Sequence, residues 1–318
     1  MSDTNELSAN TVLKNKPDRR TRIETRTGQL SNKLPVTFKK RKIKNFLMCS
    51  LLFSATIVAL IPLFSVFWYV MSRGLPALNW SFFTALPAPV GELGGGMANA
   101  LVGTLILIGL ASCVGIPWGL ATAIYLSEYG NGKLGHIIRF STDVLSSIPS
   151  IVIGLFAYAV VVMPMGRFSA IAGGLALGVL MIPTVARGAE ELLKLVPQHI
   201  REAGLALGLP RWKVILRIVL PGSMSGIATG IILAIARVSG ETAPLIFTAL
   251  NNRFWAKSLD QPISSLPVQI YTYAISPYED WHNQAWAGAF VLVMLVFCMN
   301  LLTRLLLMRN QSASGSRE

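Results

Sequence analysis

The chain has 318 residues, of which 53% are hydrophobic and 14% charged, with a formal net charge of +13. A mean hydropathy of +0.55 excludes a soluble domain, because a core of this size cannot hide so much apolar surface from water. The class this leaves is an all-α integral membrane protein, and six apolar runs predict a six-transmembrane-helix bundle.

Residues 1–45 carry twelve basic side chains against four acids, which is most of the net charge. With no apolar period they are expected to be a disordered cytoplasmic tail, its Lys39–Lys44 cluster abutting the first span as the positive-inside rule requires. That cluster also suits anionic lipid headgroups. A nucleic-acid partner is not expected, since no folded module or interleaved aromatics accompany the charge. The first span runs from Phe46 to Met71, and with the outer loop that follows it fills residues 46–97. The other five spans form a core over residues 98–308: Ala98–Leu126, Leu145–Met163, Ile171–Ala186, Gly222–Leu250 and Trp286–Met308. The fourth is short and the least secure of the six. Residues 309–318 are a short cytoplasmic tail.

Small residues recur every fourth position on the second span (Ala111, Gly115, Gly119, Ala123) and on the fifth (Gly222, Gly226, Gly230, Ala234). Such ridges let helix backbones approach closely in lipid. Pro62, Pro117, Pro149, Pro183 and Pro244 fall in or beside spans and are expected to break them into a mobile bundle. Cys49, Cys113 and Cys298 read as small buried hydrophobes. The three histidines, His136, His199 and His282, are too scattered for a metal site. The long loop from Leu250 to Trp286, rich in Trp and Tyr, is expected to hold a short element at the membrane interface. With the N-terminus inside, six spans place both termini in the cytoplasm, and the Lys and Arg bias of the loops agrees.

Between the fourth and fifth spans, residues 187–221 form a charged loop. Its segment EAGLALGLPRWKVILRIVLP places Glu202, Ala203 and Gly204 together, then Gly208, then Leu220 and Pro221. Small side chains let a short helix seat closely in a groove, and Gly208 suits the left-handed turn that stops it. The segment resembles the EAA loop of ABC-importer permeases, with Gly204 where that family has a second Ala. The resemblance implies a docking helix for a separate ATPase, the alternative being an ordinary amphipathic loop helix. No G-x-x-x-x-G-K-[ST] loop occurs in the chain, so it is not expected to hydrolyse ATP itself.

The fifth span contains AIARVSGETAPLIF, with Arg237 near its middle and Glu241 four residues on. Charges at that depth cost roughly 3 kcal/mol each on insertion scales, so both are expected to face the bundle interior and each other. Either they form a buried ion pair that fixes register, or Arg237 offers a planar fork to an anion while Glu241 modulates the charge of the site. Ser239 and Thr242 stand close enough in sequence to add hydroxyls.

ARVSGETAPLIFTAL, together with GGGMANALVGTL (94–105), SSIPSIVIGLFAY (146–158) and SLPVQIYTYA (265–274), is similar to phosphate-uptake permeases of the PstA type over about residues 46–310. This resemblance implies a MetI-like fold in the bacterial cytoplasmic (inner) membrane. It further implies a heterodimer with a PstC-like permease, a PstB-like ATPase dimer and a periplasmic phosphate-binding protein, with no catalytic residue, cofactor or metal. The alternative cargo is another oxyanion or an organophosphate. An integral membrane enzyme is disfavoured by the lack of a convergent acid, base or nucleophile. A secondary transporter is disfavoured by the absence of a second broken span like ARVSGETAP.

Overall fold

The computed structural model describes residues 19–89, 92 and 94–314, so the first part of the basic tail and the last four residues lie outside the described residues. Contacts divide the chain into two units, one up to Trp68 and one from Tyr69 onward.

Helix α1 (Arg19–Ala77) belongs to both units. Its apolar part, from Lys40 to Ala77, is long enough to span a bilayer. Within the first unit that part is exposed on every side, the condition of a helix whose solvent is lipid or a partner chain. In the second unit the last turns of α1 rest on the closing helix α12 (Glu279–Ser314). There the Tyr69 ring lies 5.0 Å from that of Trp286, and a methyl on Gly74 would sit 2.7 Å from Phe290 Cβ. The short α2 (Trp80–Thr84) is capped by the Asn79 side chain, which accepts from the Phe82 amide.

The centre of the second unit is the pair α3 (Ala98–Glu128) and α6 (Ala170–Lys194). The second-span ridge makes this pair possible. A methyl on Gly115 would lie 2.7 Å from Met181 Cβ, and one on Gly119 the same distance from Val185 Cβ. From the other side, Gly174 and Gly178 receive Leu110 and Val114. The span expected to be least secure is therefore the most buried. Its apolar run ends at Ala186, but the helix continues through Arg187–Lys194, where Arg187 pairs with Asp143 and Lys194 with Glu190.

The predicted third span is not one helix. Helix α4 (Lys133–Ser147) and helix α5 (Ser150–Ala157, extended by a π-helical turn over Tyr158–Val162 to Met165) meet at 101° across Ile148-Pro149. The residue before a proline is driven out of the helical region, and Ile148 is extended, with ψ of 131°.

The fifth span is also displaced. After α7 (Gln198–Ala206), α8 (Arg211–Val214) passes through a second π-helical turn (Ile215–Val219) into α9 (Leu220–Ser239), so the span starts at Arg211 and stops well before Leu250. Both π-helical turns stand immediately before a residue–proline pair, Met163-Pro164 and Leu220-Pro221. Widening the turn there accommodates the missing N–H and the ring that would otherwise strike the preceding turn. Pro62, Pro117 and Pro183 lie inside continuous helices. Only Pro149 and Pro244 stand at breaks, which corrects the expectation of five.

Beyond α9 come α10 (Ala243–Ile246) and α11 (Leu266–Ala274), ahead of α12. Helix α11 is the short element expected in the long aromatic loop, and one face of it packs into the bundle. Leu266, Gln269 and Tyr273 are each within 1% of full burial, and Tyr273 stacks on Trp281 with ring centres 4.5 Å apart. The three cysteines are free and exposed on helix surfaces rather than buried.

Candidate docking segment and substrate path

The four stretches that carried the resemblance meet in two pairs. The Thr104 hydroxyl accepts the Leu266 amide at 2.8 Å, and a methyl on Gly103 would collide with the Ser264 carbonyl; residues 94–105 are thus locked to 265–274. A methyl on Gly154 would lie 2.5 Å from Pro244 Cα, which sets α5 against α10 and so joins 146–158 to the segment containing Arg237.

Helix α9 ends at Ser239, where Gly240 caps it by donating to the Arg237 and Val238 carbonyls. That ending decides the geometry of the predicted path. Glu241 is no longer one helical turn beyond Arg237 on a common face, and the expected ion pair is not formed. Arg237 is exposed, and among the described residues it has no ion pair. The Ser239 hydroxyl is buried and donates to the Ala236 carbonyl at 2.7 Å. Glu241 and Thr242 are half-buried in the break, and Thr242 opens α10. The structure thus gathers all four residues at one helix break, with Arg237 unpaired.

At the other end of α9 lies the candidate docking segment. On α7 the exposed residues Glu202, Ala203 and Ala206 share one face, while Arg201 and Gly204 point inward, as i, i+3 neighbours on a helix do. Gly204 is not part of the outward surface. A methyl there would lie 3.0 Å from Val214 Cγ2 and 3.1 Å from Ile218 Cδ1, so glycine lets α7 pack against α8 and the π-helical turn. Gly208 has φ of 78°, and the amides of Leu209 and Gly208 donate to the carbonyls of Gly204 and Leu205, the left-handed stop expected of it. Leu207 is left 81% exposed and Trp212 56%. Leu220 and Pro221 stand apart from this surface, within the fifth span at the π–α junction.

The residues that hold this end together were not singled out from sequence. Arg201 donates from Nη2 to Glu128 Oε1 at 2.8 Å and to the Leu193 carbonyl at 2.8 Å, and from Nη1 to the Val196 carbonyl. Arg139 donates to the Leu126 and Gly130 carbonyls at 2.8 and 3.0 Å and to Glu190 at 2.8 Å. Glu190, 2% exposed, also accepts from Lys194 at 2.6 Å. The last carbonyls of α3 and α6 have no partner within their own helices, and the negative end of a helix dipole favours a cation. Two arginines answer both needs. Their only sequence signal is that charged residues stand where apolar runs end. A cleft of about 440 Å³ beside them is lined by Glu128, Lys194, Arg201, Arg211 and Val214, among others.

Spanning helices around a close-packed pair, with a short docking-type helix between the fourth and fifth spans, define the membrane component of an importer that works with a binding protein. The family described as "Binding-protein-dependent transport system inner membrane component" matches residues 115–311. The same fold occurs in the MetNI methionine ABC transporter in an inward-facing conformation, at TM-score 0.53 and 19% identity, covering 66% of this chain and 92% of that one. It occurs also in a bacterial alginate ABC transporter, at TM-score 0.60 and 14% identity, covering 82% and 93%. Within the class the sequence is more specific. The chain is 46% identical over 251 residues to the phosphate transport system permease protein PstA of Yersinia pestis, covering 77% of this chain and 85% of the relative. It is 45% identical over 270 residues to that of Haemophilus influenzae, covering 84% and 95%, and 40% identical over 276 residues to PstA 1 of Mycobacterium tuberculosis, covering 84% and 91%. The chain belongs to the PstA family of phosphate transport system permeases, and it is a multi-pass permease subunit of the inner membrane.

Proposed function

We propose that this permease carries inorganic phosphate across the membrane by alternating access, through a path that includes Arg237, Ser239, Glu241 and Thr242. The observation that carries the reading is Arg237: an exposed guanidinium within a spanning helix, with no ion pair among the described residues. A charge kept unpaired at membrane depth costs roughly 3 kcal/mol and marks a functional site by default. A planar fork of N–H donors matches the oxygens of a phosphate ion, the cargo named for the PstA relatives.

ATP is hydrolysed by a PstB-like ATPase dimer seated on the outward face of α7, where Glu202, Ala203, Leu207 and Trp212 are exposed. A PstC-like permease completes the heterodimer, and a periplasmic phosphate-binding protein delivers the cargo. Both termini and the docking segment lie in the cytoplasm, supported by the basic residues around α7 and by the Lys39–Lys44 cluster, which meets anionic headgroups at the start of the first span.

The test is reconstitution of the two permeases and the ATPase in vesicles with the binding protein outside. ATP-dependent accumulation of labelled phosphate, unaffected by excess sulfate or glycerol phosphate, is the expected result. Preferential uptake of either competitor would replace the cargo, and uptake without ATP would remove the ATPase from the scheme.

A further inference from the structure

We infer that Arg201 is the positioning residue through which movement of the docking helix α7 reaches the spans α3 and α6. The inference rests on the ATPase docking proposed above and adds the route by which its work enters the membrane.

Consider how α7 is attached. Along the chain it is joined to α6 through Leu195–Pro197 and to α8 through Leu207–Pro210, both short and outside the helices. It has no covalent neighbour in α3. The Arg201 guanidinium supplies that connection, holding Glu128, the last residue of α3, by Nη2 at 2.8 Å and by Nε at 3.1 Å. The same group holds the end of α6 through the Leu193 and Val196 carbonyls. Both side chains are largely removed from solvent, Arg201 13% and Glu128 11% exposed, so the pair is less screened than a surface salt bridge. Several near-parallel bonds from one rigid plane resist rotation as well as separation. The neighbouring contacts make α3 a single lever: Arg139 grips the same helix end from α4 and ties it to Glu190 of α6. When the ATPase displaces α7, a linkage of this kind moves the ends of α3 and α6 together, and these form the close-packed centre of the unit. Without it, displacement of α7 is absorbed in the two loops.

The experiment uses the complete reconstituted transporter and three readouts: recovery of ATPase with the permease, ATP hydrolysis, and phosphate uptake. Arg201→Gln keeps a polar side chain but loses the charge and the fork. It is expected to retain ATPase recovery and to hydrolyse ATP within about twofold of wild type, while uptake per ATP falls at least tenfold. Arg201→Lys is expected to fall between the two, since a point charge reaches Glu128 but not all the carbonyls. In a chain with Cys49, Cys113 and Cys298 replaced by Ser, Arg201→Cys with Glu128→Cys should lose uptake and regain at least a third of it when a short bis-methanethiosulfonate joins the two thiols, each disulfide forming with release of a sulfinate. A purely structural role would lower membrane yield and ATPase recovery together with uptake, whereas a transmitting role lowers uptake per ATP alone. Normal uptake per ATP in Arg201→Gln, or a cross-link that restores nothing, would overturn the inference. So would loss of membrane yield in all three variants, which would assign the contact to folding alone. If wild type itself shows no ATP-dependent uptake, the functional reading fails instead, and the two failures are told apart by that control.

Discussion

Two arginines in one chain, Arg201 and Arg237, stand in opposite conditions. Arg201 is mostly buried, paired with Glu128 at the end of α3, and donates also to the Leu193 and Val196 carbonyls at the end of α6. Arg237 is exposed at the end of α9 and is unpaired among the described residues. The difference teaches how to read a charge in a membrane protein. Where the donors are committed inside the chain, the residue holds structure together; where a charge in a spanning helix has no partner, it is a candidate site for a ligand or a partner chain.

The comparison is broken most severely at Glu190. Of its two carboxylate oxygens, Oε1 accepts from Arg139 and Lys194, and Oε2 is buried without a partner. Glu190→Leu takes the shared carboxylate from Arg139 and Lys194, and Arg139→Met leaves Glu190 with Lys194 as its one partner. Each should destabilise the protein by less than the roughly 3–5 kcal/mol of a fully unpaired buried charge, with Glu190→Leu the larger, read as a lower midpoint of thermal unfolding in detergent. Arg237→Gln should leave the same midpoint unchanged, because no partner is stranded.

A smaller effect sharpens a second contrast, between the two ridges of small residues. On α3, Gly119→Leu forces side-chain atoms into Val185 and the Ile182 carbonyl and should cost about 1–3 kcal/mol or more, as overpacking does. On α9, Gly222 and Gly230 have nothing within 4 Å of an added methyl, so Gly230→Ala should be neutral or slightly stabilising in the isolated chain. Loss of heterodimer recovery with Gly230→Ala, at unchanged thermal midpoint, would place the partner permease on that face.

In the docking segment the two glycines separate in the same way. Gly208→Ala places a side chain at positive φ and should cost about 1 kcal/mol. Gly204→Ala meets Val214 and Ile218 at 3.0–3.2 Å and should be near neutral, the tighter contact offset by about 1 kcal/mol of helix propensity. Because Gly204 faces inward, Gly204→Trp should dislodge α7 from α8 rather than merely block an ATPase; proteolysis of the segment in the absence of ATPase measures this.

The smallest effect concerns Asp260. A hydrogen bond from Ser258 and the nearby Arg167 guanidinium, 2.8 Å away, hold its carboxyl below the usual range. A depressed carboxylate pKa contributes stability above the ordinary value and loses it as pH falls through the lowered one. The contact should therefore be constant from pH 8 to pH 5 and weaken only below about pH 4. Spin-label distances between the exposed neighbouring positions Met163 and Leu259, which leave Arg167 and Asp260 in place, give the check.

Much of this was legible in the sequence because it depends on local pattern. The α3 ridge, the left-handed stop at Gly208 and the presence of a short helix ahead of it follow from residue type and spacing alone. Tertiary pairing was not legible. Glu128 lies 73 residues from Arg201 and Arg139 lies 51 from Glu190, and no periodicity connects them. The bend at Ile148-Pro149 was hidden inside a continuous apolar run. The end of α9 at Ser239 was hidden too, since Gly240 is followed by further apolar residues. That hidden ending is why Arg237 and Glu241 looked like partners.

The most direct measurement is uptake of labelled phosphate by reconstituted transporter carrying Arg237→Gln alone, with membrane yield, thermal midpoint and ATPase recovery measured on the same preparation. Uptake at least a hundredfold below wild type, with those three properties unchanged, is the result expected if Arg237 waits for an anion rather than for a neighbour. Uptake near the wild-type rate, or a fall in uptake matched by a fall in yield and midpoint, would contradict it.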